Sequence, residues 1–230
     1  MINNIFLKIR RRETPFYDKL YLFLKWIRAV NFPVIRPLHS FLYAEFRFRR
    51  SLWRSFWRFV YYEPLFKSQC DVVGKGLVLT GGLPLLQGNI HLIFGDNVSL
   101  HGKSNFTGSK VFNRPTLRVG NNTVLGHQLQ ITVGSDVTIG NNVLIAGSVS
   151  IFSVDQHRAN PSERHLPPLP ESSKPIIIED NVWIAEKCVI LRGVVIGRNS
   201  IIASGSVVTQ KVPPDSLVIG NPARIFPLIY

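Results

Sequence analysis

Residues 178–209 read IEDNVW-IAEKCV-ILRGVV-IGRNSI-IASGSV-VT, a branched residue returning every six positions. Ile178, Ile184, Ile190, Ile196, Ile202 and Val208 head the units. Four residues after the first five come Val182, Cys188, Val194, Ser200 and Ser206, all short side chains. Upstream, Val133-Gly134, Ile139-Gly140, Ile145-Ala146 and Ile151-Phe152 form a second uninterrupted series, with Val137, Val143 and Val149 in the short positions. A fixed short period marks a repeat architecture. Each hexad predicts a short strand and a turn, the branched residue inward and a small residue after it where the chain bends. One unit cannot bury its own apolar face, so the units must stack as a solenoid.

Looser hexads extend the pattern towards the N-terminus, at Val119-Gly120 and Leu125-Gly126, at Phe94-Gly95, Leu100-His101 and Phe106-Thr107, and at Val73-Gly74, Leu79-Thr80 and Leu85-Leu86. With three hexads per triangular coil, residues 71–212 give five or six coils, stacked about 4.8 Å apart as strands are. Exposed rung ends call for caps, and residues 213–230 are expected to supply one.

The series is broken twice. Ile151 and Ile178 are 27 residues apart, not a multiple of six, and Ser153–Pro175 between them is polar and proline-rich. A shorter break covers Gly108–Leu117. Loops thrown out from a rigid scaffold are where chemistry is usually carried.

Composition divides the chain near Cys70-Asp71. Residues 1–70 hold 14 Lys/Arg against 4 Asp/Glu and 18 of the 25 aromatics, so most of the net charge of +13 lies there. Pro15–Val30 and Arg36–Tyr62 read as helices separated by Asn31-Phe32-Pro33. On the second, Arg47, Arg50, Arg54 and Arg58 form a stripe, with Phe41, Phe48, Leu52, Phe56 and Phe59 nearly opposite; Glu45 and Arg49 can pair at i,i+4. Two readings stand together: an anionic membrane surface meeting residues 15–62, and packing on the β-domain or a neighbouring subunit. Nucleic acid is disfavoured, because so many large apolar side chains on one face suit lipid or protein better.

The two cysteines, Cys70 and Cys188, have neither metal-type nor redox-type spacing, and Cys188 fills an inward hexad position. Few cysteines and no secretory signal fit a cytoplasmic compartment. No stretch offers the roughly 18 apolar residues of a membrane span. The expected domains are therefore a helical basic region 1–70, a solenoid 71–212 with an excursion 153–175, and a cap 213–230.

Four segments, Ile178-Glu-Asp-Asn-Val-Trp-Ile-Ala185, Ile202-Ala-Ser-Gly-Ser-Val-Val-Thr209, Val212-Pro-Pro214 and Gly220-Asn-Pro-Ala-Arg224, carry a family resemblance. Residues 133–226 resemble the left-handed β-helix hexapeptide-repeat acyltransferases, above all the galactoside, maltose and polysaccharide O-acetyltransferases. The resemblance implies a left-handed parallel β-helix, an acetyl-CoA donor, no metal, and a homotrimer with sites between subunits.

Transfer from a thioester to a sugar hydroxyl needs a base for the alcohol, a donor to the oxyanion and a seat for an anionic nucleotide carrier. Histidine suits the base. Of His39, His91, His101, His127, His157 and His165, the resemblance selects His157, in the excursion, with Asp155 or Glu163 or a backbone carbonyl to orient it. It places acyl-CoA against Trp183, Ala185, Glu186, Ser204, Thr209, Gln210 and Arg224, and an acceptor near His127 and Gln128. Gln210 stands where the family often has Lys, so Lys211 joins Arg224 as a partner for the 3′-phosphate.

The leading expectation is an O-acetyltransferase acting on a lipid-linked or envelope glycan, peripheral on the inner face of the cytoplasmic membrane. A serine acetyltransferase ranks below it, because that family's longer helical region lacks the Arg/aromatic stripe. A zinc hydratase lacks a convincing histidine trio, and an intact His157 loop argues against a non-catalytic scaffold.

Overall fold

The computed structural model describes residues 2–229. It has two compact units, Met1–Leu52 and Trp53–Tyr230. The first holds α1 (Ile2–Arg11), α2 (Pro15–Ala29) and most of α3 (Arg36–Trp57). Thr14 caps α2 by accepting the Tyr17 N–H, and Arg12 pairs with Asp18 and lies over the Tyr21 ring. The Glu45–Arg49 pair forms at 2.9 Å. Neither α2 nor α3 buries a side chain.

The second unit is a parallel β-solenoid of six complete coils and part of a seventh. The coils are β1 (Val72–Val73), β2 (Val78–Thr80) and β3 (Leu85–Gln87); β4 (His91–Phe94), β5 (Ser99–His101) and β6 (Asn105–Gly108); β7 (Thr116–Val119), β8 (Val124–Leu125) and β9 (Gln130–Val133); β10 (Val137–Ile139), β11 (Leu144–Ile145) and β12 (Ser150–Phe152); β13 (Ile176–Ile178), β14 (Trp183–Ile184) and β15 (Val189–Leu191); and β16 (Val195–Ile196), β17 (Ile201–Ile202) and β18 (Val207–Val208). First strands stack on first strands, second on second and third on third, giving three sheets. Every rung pairs in parallel until β19 (Ser216–Gly220) turns back antiparallel into β20 (Ala223–Pro227).

The register explains the hexad. Val119, Ile139, Ile178 and Ile196 stack inside the first sheet; Leu100, Leu125, Ile145, Ile184 and Ile202 inside the second; Phe106, Ile131, Ile151, Ile190 and Val208 inside the third. All are buried, and Cys188 lies among them with its thiol against the Ala203 carbonyl. Removing most of one such side chain, as in Ile→Ala, costs about 2–5 kcal/mol.

Between the first and second sheets the chain turns through a residue at positive φ at every level, among them Asn97, Asn122, Asn142, Asn181 and Asn199. Asparagine tolerates that conformation. Its neighbours bond along the stack: the Asp96 N–H donates to Asn121 Oδ1, Asn121 N–H to Asn141 Oδ1, and Asn141 N–H to Asp180 Oδ1.

The corner from the third sheet back to the first is where length varies. Ile190 to Ile196 is a plain hexad, but Ile131 to Ile139 takes eight residues and Ile151 to Ile178 takes 27. Both breaks in the hexad series, Gly108–Leu117 and Ser153–Pro175, are insertions at this one corner. The first coil needs a correction: Leu86, not Leu85, pairs with Phe106 and packs on the core, while Leu85 is exposed. Gly81 and Gly82, both at positive φ, extend the preceding turn by one residue and reverse which side chain faces inward.

At the start of the solenoid, Phe66 of α4 (Glu63–Lys67) is fully buried and meets Phe94 edge-on. Glu63 accepts the Leu79 N–H and Asp71 the Leu92 N–H, so two backbone donors of the opening coils are satisfied by side chains. The His91 hydrogen bond, first, and the Leu92 N–H hold the Asp71 carboxyl below its ordinary value. Burial, then Asp71, pushes the Cys70 thiol up to about 12.

Candidate active site

The long excursion is pinched where it leaves the coil. Val154 and Ser173 form an antiparallel bridge, and the Asp155 and Lys174 N–H groups donate to the Ser172 and Ser153 carbonyls. Beneath the pinch Ser153 is fully buried. Its hydroxyl accepts the Gly134 N–H at 2.9 Å and donates to the Ser135 carbonyl at 2.6 Å. Ser173 Oγ lies 3.0 Å from the Ser153 carbonyl and 2.8 Å from Ser135 Oγ. A hydroxyl donates once, so Ser173 donates to the carbonyl and Ser135 to Ser173. A Cβ on Gly134 would come within 2.6 Å of both Ser173 and Val154, so the root closes only over glycine.

His157 is exposed on this loop, and its Nδ1 lies 3.1 Å from the Arg164 carbonyl oxygen. A carbonyl can only accept, so Nδ1 carries the hydrogen and the neutral ring keeps its lone pair on Nε2. That is the tautomer a base needs. The orienting group in the structure is thus a backbone carbonyl. Asp155 instead pairs with Arg192 at 2.8 Å, tying the loop to the next coil, and Glu163 pairs with Arg158 at 3.1 Å. Two small 3₁₀ turns, Pro161–Glu163 and Pro170–Ser172, complete the loop, the first capped by Asn160.

The other expected site residues lie along two corners. His127 and Gln128 form the turn from the second to the third sheet in the third coil, and Glu186 and Ser204 occupy the same turn in the fifth and sixth. Backbone bonds from Ser148 to His127, Lys187 to Gly147 and Gly205 to Glu186 stack these turns in one column. Trp183, on the outer face of β14, is half-exposed, and Ala185 follows it into the turn. Ile201, Leu217 and Phe226 continue the Trp183 register, and Arg224, two residues from Phe226 on β20, faces the same way. Thr209, Gln210 and Lys211 sit apart, exposed at the corner that also bears the His157 loop. A single chain therefore gathers the carrier-binding candidates into two groups on different edges of the prism.

Some local chemistry had no signal in the sequence. His101 lies one coil from His127, ring centroids 5.9 Å apart, and a Cβ on Gly81 or Gly147 would strike one ring or the other. Burial, then His127 and Lys103, lowers the His101 pKa, and its Nδ1 accepts the Lys103 N–H. The serine root and the Asp155–Arg192 pair join residues far apart in the chain. Among the described residues no group of three or more His, Cys, Asp or Glu could hold a metal ion.

Comparison with known proteins agrees with this fold. Residues 175–210 match the model of the bacterial transferase hexapeptide family (six repeats). Galactoside O-acetyltransferase of Escherichia coli is 42% identical over 109 residues, 47% of this chain and 52% of that protein. The 2,3,4,5-tetrahydropyridine-2,6-dicarboxylate N-acetyltransferase of Staphylococcus aureus is 35% identical over 94 residues, 41% of this chain and 31% of that one. A hexapeptide-repeat-containing acetyltransferase of Vibrio cholerae, solved with acetyl coenzyme A, is 31% identical with a TM-score of 0.51, covering 73% of this chain and 76% of its own. The chain spans about half or less of the length of these curated relatives.

Proposed function

This chain belongs to the hexapeptide-repeat acetyltransferase family, and from that premise we propose that it moves an acetyl group from acetyl-CoA to a sugar hydroxyl. The observation that carries the reading is His157, held by the Arg164 carbonyl with Nε2 free on a loop rooted in buried hydroxyls. Nε2 takes the hydroxyl proton as the sugar oxygen attacks the thioester carbonyl. The C–O bond forms, the tetrahedral intermediate collapses, the C–S bond breaks, and the imidazolium returns its proton to the CoA sulfur.

Trp183, Ala185, Glu186, Ser204 and Arg224 form the carrier surface, with Thr209, Gln210 and Lys211 at the neighbouring edge and His127 and Gln128 towards the acceptor. Their division between two edges of the prism supports a site completed by a second copy. In a homotrimer the His157 loop of one copy faces the second sheet of the next. Arg224 and Lys211, both exposed, supply positive charge for the nucleotide phosphates.

The acceptor is a lipid-linked or envelope glycan, and the enzyme sits on the inner face of the cytoplasmic membrane. Phe41, Phe48, Phe56 and Trp53 are each more than half exposed on α3, alongside Arg47, Arg50 and Arg54. Arg58 is the exception in the stripe, turned to Glu63 at 3.5 Å. A helix with exposed aromatics beside basic residues suits a lipid interface; among the described residues no helix is long and apolar enough to cross a membrane.

The test is a titration with acetyl-CoA followed by thiol release against a panel of glycans, with serine and an amino-acid amine as comparison acceptors. Saturable, glycan-dependent release supports the reading; release with serine alone, or none with any acceptor, overturns it.

A further inference from the structure

On the inner side of the His157 loop a cleft of about 540 Å³ runs down the outside of the third sheet. That size lies in the range of small-molecule sites. Its floor is a polar column, because Gln87, Thr107 and Thr132 are cross-strand neighbours at one register on β3, β6 and β9. Neighbouring rungs are about 4.8 Å apart, a spacing comparable to the rise per ring of an extended pyranose chain. The roof is Val154, Gln156 and Pro168 of the excursion, and Gln156 directly precedes His157.

Thr132 is the telling residue. It points outward, since Ile131 beside it points in, yet the loop root leaves it only 4% exposed. Its side chain lines the cleft, and its hydroxyl is not among the buried polar atoms that lack a partner, so it keeps access to the cleft. A hydroxyl open to the cleft can donate to or accept from a ligand oxygen, which a valine filling the same space could not do. Lys110 is the sole charged side chain of the lining, and no carboxylate is present. An amino-acid acceptor would find no carboxylate here to pair with its ammonium group, whereas a neutral or acidic sugar chain meets hydroxyls, amides and one cation.

We propose that this cleft is an acceptor subsite for a glycan of more than one ring, running from His157 along Thr132, Thr107 and Gln87. The inference rests on the O-acetyltransferase reading and adds the length of the acceptor to it. The carrier then approaches from the neighbouring copy, on the other side of the loop.

The experiment measures thiol release by the full chain with glucose-, galactose- and N-acetylhexosamine-based glycans, each offered as a monosaccharide and as longer oligomers. The subsite requires at least tenfold higher kcat/KM for an oligomer than for its own monosaccharide. Thr132→Val should erase most of that preference without lowering the melting temperature, whereas a structural threonine would lose stability and keep the preference. Lys110→Ala, at an exposed position, should weaken acidic oligomers more than neutral ones. Equal rates at every length, or an oligomer preference untouched in Thr132→Val, overturn the subsite and leave the acyltransferase standing. Release with no glycan at all overturns both.

Discussion

Ser153→Ala tests whether the loop root positions the reacting histidine. The substitution removes the acceptor of the Gly134 N–H and the donor to the Ser135 carbonyl, at 2.9 and 2.6 Å, from a fully buried position. A buried group left unsatisfied costs about 1–3 kcal/mol. Gly134 is buried and bears that cost in full; Ser135 is half-buried, so its carbonyl can recruit water. Together they give a loss of about 2–4 kcal/mol, read from denaturant midpoints at constant slope. The same change loosens the Val154–Ser173 pinch, three residues from His157. Misplacement of a reacting group by about an ångström costs on the order of 100-fold, so a partial shift should lower kcat by about 10-fold or more while acetyl-CoA affinity holds. A stability loss under about 0.5 kcal/mol, well below the cost of one stranded group, would refute the bonding argument. Full kcat despite the stability loss would refute the link from root to histidine.

Three further outcomes are expected. Arg224→Ala should weaken acetyl-CoA far more than its 3′-dephospho analogue in equilibrium titrations; equal loss for both points to a structural role at the end of the solenoid. Changing Arg47, Arg50, Arg54 and Arg58 together to Gln should reduce co-sedimentation with anionic vesicles and its salt sensitivity, Arg47, Arg50 and Arg54 each contributing on the order of 1 kcal/mol, with the oligomer mass unchanged. Parent protein that stays in the supernatant would sink the membrane reading. Asp71 has a depressed folded pKa, chiefly through His91, so its contribution to stability is present above the ordinary carboxylate value and lost as pH falls through the folded one. The stability advantage of the parent over Asp71→Asn should therefore hold at neutral pH and narrow in acid, as thermal melts across that range would record.

Much of the solenoid was legible because its period is local: Ile139, Ile145, Ile151 and the series from Ile178 all face the core as the hexad requires. Register failed at Leu85, where two glycines at positive φ add a residue that composition alone does not announce. It also blurred at the third-to-first corner, where Val133 reads as the head of a hexad but extends β9 past the inward Ile131. The loop was legible by its composition, whereas its root was not. Ser135, Ser153 and Ser173 are distant in sequence and ordinary in type, and only folding joins them. The same holds for Asp155, whose partner Arg192 lies 37 residues away. A carbonyl, as at Arg164, has no signature at all.

The most direct test of the account is the single-turnover rate of acetyl transfer in His157→Ala, at saturating acetyl-CoA and with the best glycan acceptor of the parent. The loss of a positioned base predicts a fall of on the order of 100-fold or more, with acetyl-CoA affinity, oligomer mass and melting temperature unchanged, because the side chain is exposed and bonds only to its own loop. Turnover within a few-fold of the parent would contradict the assignment and move the base to His127 or His165.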